Sequence, residues 1–100
     1  MKTKNEFRKN KDSGHPAYIY EKRGKKYIFI GITHSEITQG TKNIKLDKNP
    51  NPKDKKSAHF LPKAEEKSAN RFKKKEVGWK LAKSDKKKAD EIVKNSNLKK

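Results

Sequence analysis

Only one stretch of the chain is dense enough in apolar residues to nucleate a fold, and it is strand-like. It runs Ala17-Tyr18-Ile19-Tyr20-Glu21-Lys22, then Arg23-Gly24, then Lys25-Lys26-Tyr27-Ile28-Phe29-Ile30-Gly31-Ile32. β-branched and aromatic residues of this kind fit a pleated surface. Arg23-Gly24 reads as a two-residue hairpin connection. That turn sets Lys22 opposite Lys25, Glu21 opposite Lys26, Tyr20 opposite Tyr27, Ile19 opposite Ile28 and Tyr18 opposite Phe29. One face would then carry Tyr18, Tyr20, Tyr27 and Phe29, and the other Ala17, Ile19, Ile28, Ile30 and Ile32. Neither face is polar, so both sides need cover.

Little else is available to supply that cover. Of 100 residues, 28% are hydrophobic and 41% charged. A chain of this size buries a limited share of its surface, which excludes a two-domain enzyme or a large cofactor-binding fold. No cofactor is expected. Cysteine is absent, which removes disulfide scaffolds, thiolate metal sites and thiol nucleophiles. No apolar run approaches the roughly 18 residues of a membrane span. Residues 1–14 are basic without an apolar segment, unlike a secretory signal. The expectation is a cytoplasmic protein with no membrane partner.

Lys and Arg number 29 against 12 Asp and Glu, for a net charge of +17. Arginine occurs only at positions 8, 23 and 71, so nearly all of this charge is lysine. Lysine is a point charge that attracts phosphate backbones, whereas arginine reads base edges bidentately. AT-rich codon usage would also raise the lysine count, but it does not account for the shortage of acids. The balance points to nucleic acid or to an acidic protein partner; RNA is expected over DNA because of the histidines and the resemblance described below.

The organisation expected is α+β: a disordered basic arm over residues 1–14, one domain over 15–95 and a frayed tail over 96–100. A small antiparallel sheet, made of the hairpin and one or two further strands, packs with a C-terminal helix. Asn43-Ile44-Lys45-Leu46 suits a short edge strand, and Ala58-His59-Phe60-Leu61 a third strand closed by Pro62. Asn49-Pro50-Asn51-Pro52 is a rigid loop, because each proline lacks a donor and restricts its neighbour. Residues 63–75 are polar, with a weak helical turn near 64–72. Gly78-Trp79-Lys80-Leu81 is a last strand or an anchoring segment. The helix begins at Ser84 as N-cap, with Asp85 in its first turn and Ala89, Ile92 and Val93 on one face. Asp90 and Lys94 make an i,i+4 pair, and the helix stops by Asn95.

His15, His34 and His59 each lie beside a strand edge. If the second and third strands pair, His34 and His59 approach one another. Two histidines suit metal-independent RNA cleavage, because an imidazole titrates near neutrality and serves as base or acid. His34 and His59 would share those roles, with His15 a further candidate and Lys63 or Arg71 stabilising the charged phosphorane. Ordinary structural histidines are the competing reading. Three histidines with Asp54 show no metal-ligand spacing. Ser35, a histidine and Asp47 or Asp54 make a triad by inventory only, with no nucleophile elbow. The tyrosine-rich face and Trp79 suit a core better than a base-stacking platform. Arg23, Lys25, Lys63, Arg71, Lys73, Lys74 and Lys75 are the candidate nucleic-acid contacts; a solvated charge run is the alternative for the last four.

Residues 14–95 resemble small basic proteins of bacterial phages and mobile elements. The resemblance is carried by His15-Pro16-Ala17-Tyr18-Ile19-Tyr20, Ile30-Gly31-Ile32-Thr33-His34-Ser35, Asn43-Ile44-Lys45-Leu46, Asn49-Pro50-Asn51-Pro52 and Gly78-Trp79-Lys80. A more distant similarity is to the barnase–EndoU–colicin–RelE endoribonuclease superfamily. It implies a small α+β RNase, often a toxin, with its site on the sheet and His34 and His59 as the positions to test. In that superfamily helices commonly precede the sheet, whereas here the one strong helix comes last. Two non-catalytic readings stay open. One is a nucleic-acid-binding module, and the other is a protein that binds an acidic host target or antitoxin.

Overall fold

The computed structural model describes residues 2–96, with side chains described from Asn5 onward. The nucleating segment forms β2 (Pro16–Arg23) and β3 (Lys26–Thr33), an antiparallel pair. The register differs from the expected one. The turn is Gly24-Lys25, with Gly24 at φ 58°, and Arg23 pairs with Lys26. A second irregularity follows between Ile19 and Glu21, so that Ile19 faces Phe29 and Tyr18 faces Ile30. A slip of one residue exchanges the faces of a strand. Tyr18 and Tyr20 therefore join Ile28, Ile30 and Ile32 on one side, while Ala17 and Ile19 join Tyr27 and Phe29 on the other.

Seven strands make the main sheet. β1 (Lys2–Asn10) pairs with β2, and β3 is flanked along one edge by β7 (His59–Phe60) and then β8 (Glu65–Ser68). β6 (Ile44–Lys45) pairs beyond β7, and β9 (Phe72–Lys75) pairs with β1. A separate hairpin, β4 (Ile37–Thr38) with β5 (Thr41–Lys42), turns on Gln39-Gly40. The helix α1 (Lys83–Asn95) comes last, giving an α+β fold with the N-terminal hairpin, the edge strand and the C-terminal helix expected of the sequence.

A three-residue 3-10 turn, Ala69–Arg71, joins β8 to β9. Laid flat, these strands would stand four strand spacings apart, about 19 Å. The four-residue step from Ser68 to Phe72 reaches at most about 14 Å. The sheet must curl to bring its two rims together. Ala17, Ile19, Tyr27, Phe29 and Phe72 pack on one face of this curled sheet, with the Phe29 and Phe72 ring centroids 5.0 Å apart. The other face packs Phe7, Tyr18, Ile28, Ile30, Ile32 and Phe60 with Ala89 and Ile92 of α1. The aromatic rings are thus core residues. Trp79, in an irregular segment rather than a strand, anchors against Phe7 at 5.7 Å.

Several expectations need correction. Residues 2–10 are not a disordered arm but a central strand. Its single apolar residue, Phe7, is 2% exposed, and ladder bonds run along both its sides. Charged neighbours hid this strand: Arg8 faces the other side, with its guanidinium 5.5 Å from the Tyr27 ring. Residues 64–72 are mostly extended, because β8 completes the edge of β3. Ser96 is not frayed. It is buried, and its hydroxyl accepts the Ala64 N–H at 2.9 Å. Residues 97–100 of the expected tail lie outside the described residues.

The helix starts at Lys83 without a side-chain cap, and Ser84 instead donates to Asp47. Asp90 is held by Lys86 and by the Tyr20 hydroxyl rather than by Lys94. Asp85 is fully buried and accepts the backbone N–H groups of Asp47 and Lys48 at 2.8 and 3.2 Å, with Lys88 Nζ 3.1 Å away. This carboxylate ties the loop after β6 to the start of α1. Removing one partner of a buried charge network leaves the others unpaired. Asp85→Ala should therefore cost about 3 kcal/mol of stability in urea unfolding. A loss below about 1 kcal/mol would show that the tie is dispensable.

Candidate functional site

The antiparallel ladders gather chemistry at one end of the sheet. Ala17 pairs with Gly31, so the residue entering β2, His15, lies level with the exit of β3, where His34 follows Thr33. Lys9 pairs with Pro16 and arrives at the same end from β1. Glu76 and Val77 follow directly from β9, which pairs with β1. A cleft of about 620 Å³ opens there, lined by Lys9, His15, His34, Asp54, Val77 and Trp79 among others.

The opposite wall is the proline loop. Its conformation is dictated by three Asx turns in succession. Asn49 Oδ1 accepts the Asn51 N–H at 3.0 Å, Asn51 Oδ1 the Lys53 N–H at 3.0 Å, and Asp54 Oδ1 the Lys56 N–H at 3.0 Å. Short polar side chains favour this geometry by bonding their own backbone two residues on. Asn49 Nδ2 also donates to Lys56 O, and Lys80 N donates to Pro50 O. The loop therefore presents Asp54 in one orientation.

Asp54 Oδ2 accepts a hydrogen bond from His34 Nε2 at 2.6 Å. That bond, followed by the Lys56 N–H, holds the Asp54 carboxyl down to about 2. A carboxylate on one imidazole nitrogen fixes the orientation of the ring. His34 is more than half exposed and lines the cleft. His15 is exposed on the same cleft. The cleft thus holds an oriented histidine–carboxylate pair, a second histidine, the cations Lys9 and Lys53, and Glu76. Among the described residues no cluster of three His, Asp or Glu side chains is arranged to hold a metal ion.

The expected residues separate into two groups. β3 and β7 do pair, but Thr33 rather than His34 stands opposite His59. Adjacent residues of a strand face opposite sides. His59 is 4% exposed, its Nδ1 has no hydrogen-bond partner, and it does not line the cleft. His15, not His59, shares the cleft with His34. Arg23 and Lys25 sit at the β2–β3 turn, the far end of that hairpin, where Arg23 meets Glu21 at 3.4 Å. Arg71 is held by Asp12, which also accepts from Lys67 at 3.0 Å, so Arg71 is not a free phosphate ligand. Lys63 lies exposed between β7 and β8, away from the cleft lining. Lys73, Lys74 and Lys75 are exposed along β9, which leads to the cleft.

Lys9, Lys53 and Glu76 were not singled out by sequence, and Asp54 was one carboxylate among several. Only the Asn49-Pro50-Asn51-Pro52 signal marked their neighbourhood. No family model, no curated protein and no solved structure matches the chain.

The Asp54 carboxylate has a defined pH signature. Its folded value lies below the ordinary 3.8, so its contribution to stability is present above that value and lost as pH falls toward 2. Carbon NMR of the Asp54 carboxyl should give a midpoint near 2, moving up toward the ordinary value in His34→Ala. A midpoint unchanged by that substitution would break the link between the two side chains.

Proposed function

We propose that this chain is a cytoplasmic RNA-binding protein that cleaves RNA at the His15–His34 cleft by acid–base chemistry. The observation that carries the reading is the His34–Asp54 hydrogen bond in a cleft that also receives His15, on a chain of net charge +17. His34 takes the proton of a 2′-hydroxyl, and Asp54 stabilises the resulting imidazolium. The 2′-oxygen bonds to the adjacent phosphorus, the bond from phosphorus to the 5′-oxygen breaks, and His15 gives its proton to that leaving oxygen. The products are a 2′,3′-cyclic phosphate and a 5′-hydroxyl. Lys9 and Lys53 supply positive charge where the phosphorane gains negative charge. Release of such activity in a cell would be toxic, which agrees with the resemblance to endoribonuclease toxins.

The test is cleavage of a 5′-labelled structured RNA in excess EDTA. The wild-type chain should leave cyclic phosphate ends. His34→Ala and His15→Ala should each slow turnover by about 10²–10⁴-fold. Asp54→Asn should lower kcat with little change in KM, and His59→Ala should spare activity wherever the protein still folds. RNA that is retarded but intact with every variant would make the chain a binding module and return the histidines to structural roles.

A further inference from the structure

We propose, building on the cleft reading above, that the cleft and the exposed strand β9 form one continuous track for an unpaired RNA strand. Its phosphates lie along lysines and one base rests against Val77 and Trp79. β9 carries Lys73, Lys74 and Lys75, all exposed, and runs straight into Glu76 and Val77 at the cleft. Lys9 lies on the neighbouring strand β1, and Lys53 stands on the opposite wall. Among the described residues none of these five lysines has a carboxylate within ion-pair distance, whereas Arg8, Arg23, Arg71, Lys67, Lys86 and Lys88 all do. The fold ties its arginines into its own structure and leaves these lysines to solvent. Glu76 is the cleft's one carboxylate without such a partner, and the five lysines outweigh it.

The cleft's size selects a strand over a helix. About 620 Å³ suits a ligand of small-molecule dimensions, within the roughly 300–1,000 Å³ of such sites. A paired A-form helix keeps its bases inside and cannot deliver one to a recess of this kind. Val77 is 89% exposed beside the half-buried Trp79, and nothing in the core's packing requires a branched apolar side chain there. Apolar and aromatic walls receive unpaired bases without regard to sequence. With all three arginines tied to carboxylates, no free guanidinium fork is left to read a base edge, so contacts to the backbone dominate.

Trp79 is the chain's sole tryptophan and reports the cleft directly. The probe is a short 2′-O-methyl oligouridylate, which lacks the attacking hydroxyl and cannot be cleaved. It should quench Trp79 saturably, with log affinity falling against log salt at a slope of about −3.5 if five phosphates are covered. Replacing Lys73, Lys74 and Lys75 together by alanine should reduce that slope by about 2. Val77→Asp should weaken binding by about tenfold or more and leave the melting temperature unchanged, as befits an exposed position. An RNA duplex of equal length that binds as tightly would overturn the proposal. So would an unchanged slope in the triple variant, or a Trp79 emission that stays constant while a labelled strand saturates. The two readings fail separately. RNA turnover with a silent Trp79 sinks the strand track and leaves the catalysis, whereas Trp79 quenching without turnover does the reverse.

Discussion

The register between β2 and β3 is the constraint on which both the core and the cleft depend. The Gly24-Lys25 turn and the irregularity at Tyr20 together decide which apolar side chains face α1 and which face the other side of the curl. With 28% hydrophobic residues, few can be spared if a strand presents the wrong face. The same ladder sets Ala17 against Gly31 and so brings the entry of β2 level with the exit of β3, where His15 and His34 lie. Gly31 has its own part in this. A Cβ there would stand 2.6 Å from Leu61 Cδ1, so the glycine lets the chain after β7 close over β3. Leu61 N donates to Gly31 O at that point.

Charge is distributed by use. Acidic residues are scarce, and most of those described in ion pairs sit where two segments meet. Asp12 ties the first loop to Lys67 and Arg71, Asp85 and Asp47 tie the proline loop to α1, and Asp90 ties α1 to β2 through Tyr20. The Tyr20 hydroxyl is pushed up to about 12, by burial first and then by this bond to Asp90. These contacts offset self-repulsion locally while leaving the outward lysines free to attract a polyanion. Such a surface favours a partner that brings negative charge. The cleft lies at the end of one of the chain's two runs of three consecutive lysines, Lys73-Lys74-Lys75, the other being Lys86-Lys87-Lys88 on α1.

The hairpin, the edge strand, the proline loop and the amphipathic helix were legible because each has a local signature: β-branched alternation, a donor-lacking proline pair, or apolar residues three and four apart. β1 was not legible. It rests on one phenylalanine and on backbone bonds to two neighbours, and neither has a compositional signal. β8 and β9 were hidden for a related reason: they complete ladders begun by β3 and β1, so their extended form is imposed by partners rather than by their own lysine-rich sequence.

The chain's composition alone settled its charge, its thin core and the restriction to chemistry without thiols. Local pattern alone settled the α+β class. Which histidines meet was a tertiary decision. A one-residue difference in register separates His34 from His59, and the ladder from β1 to β3 carries His15 and Lys9 to the same end as His34. Asp54 reaches that end because three Asx turns and the buried Asp85 hold its loop. Side-chain chemistry is written residue by residue, but proximity depends on strand register and loop closure, which arise from long-range pairing.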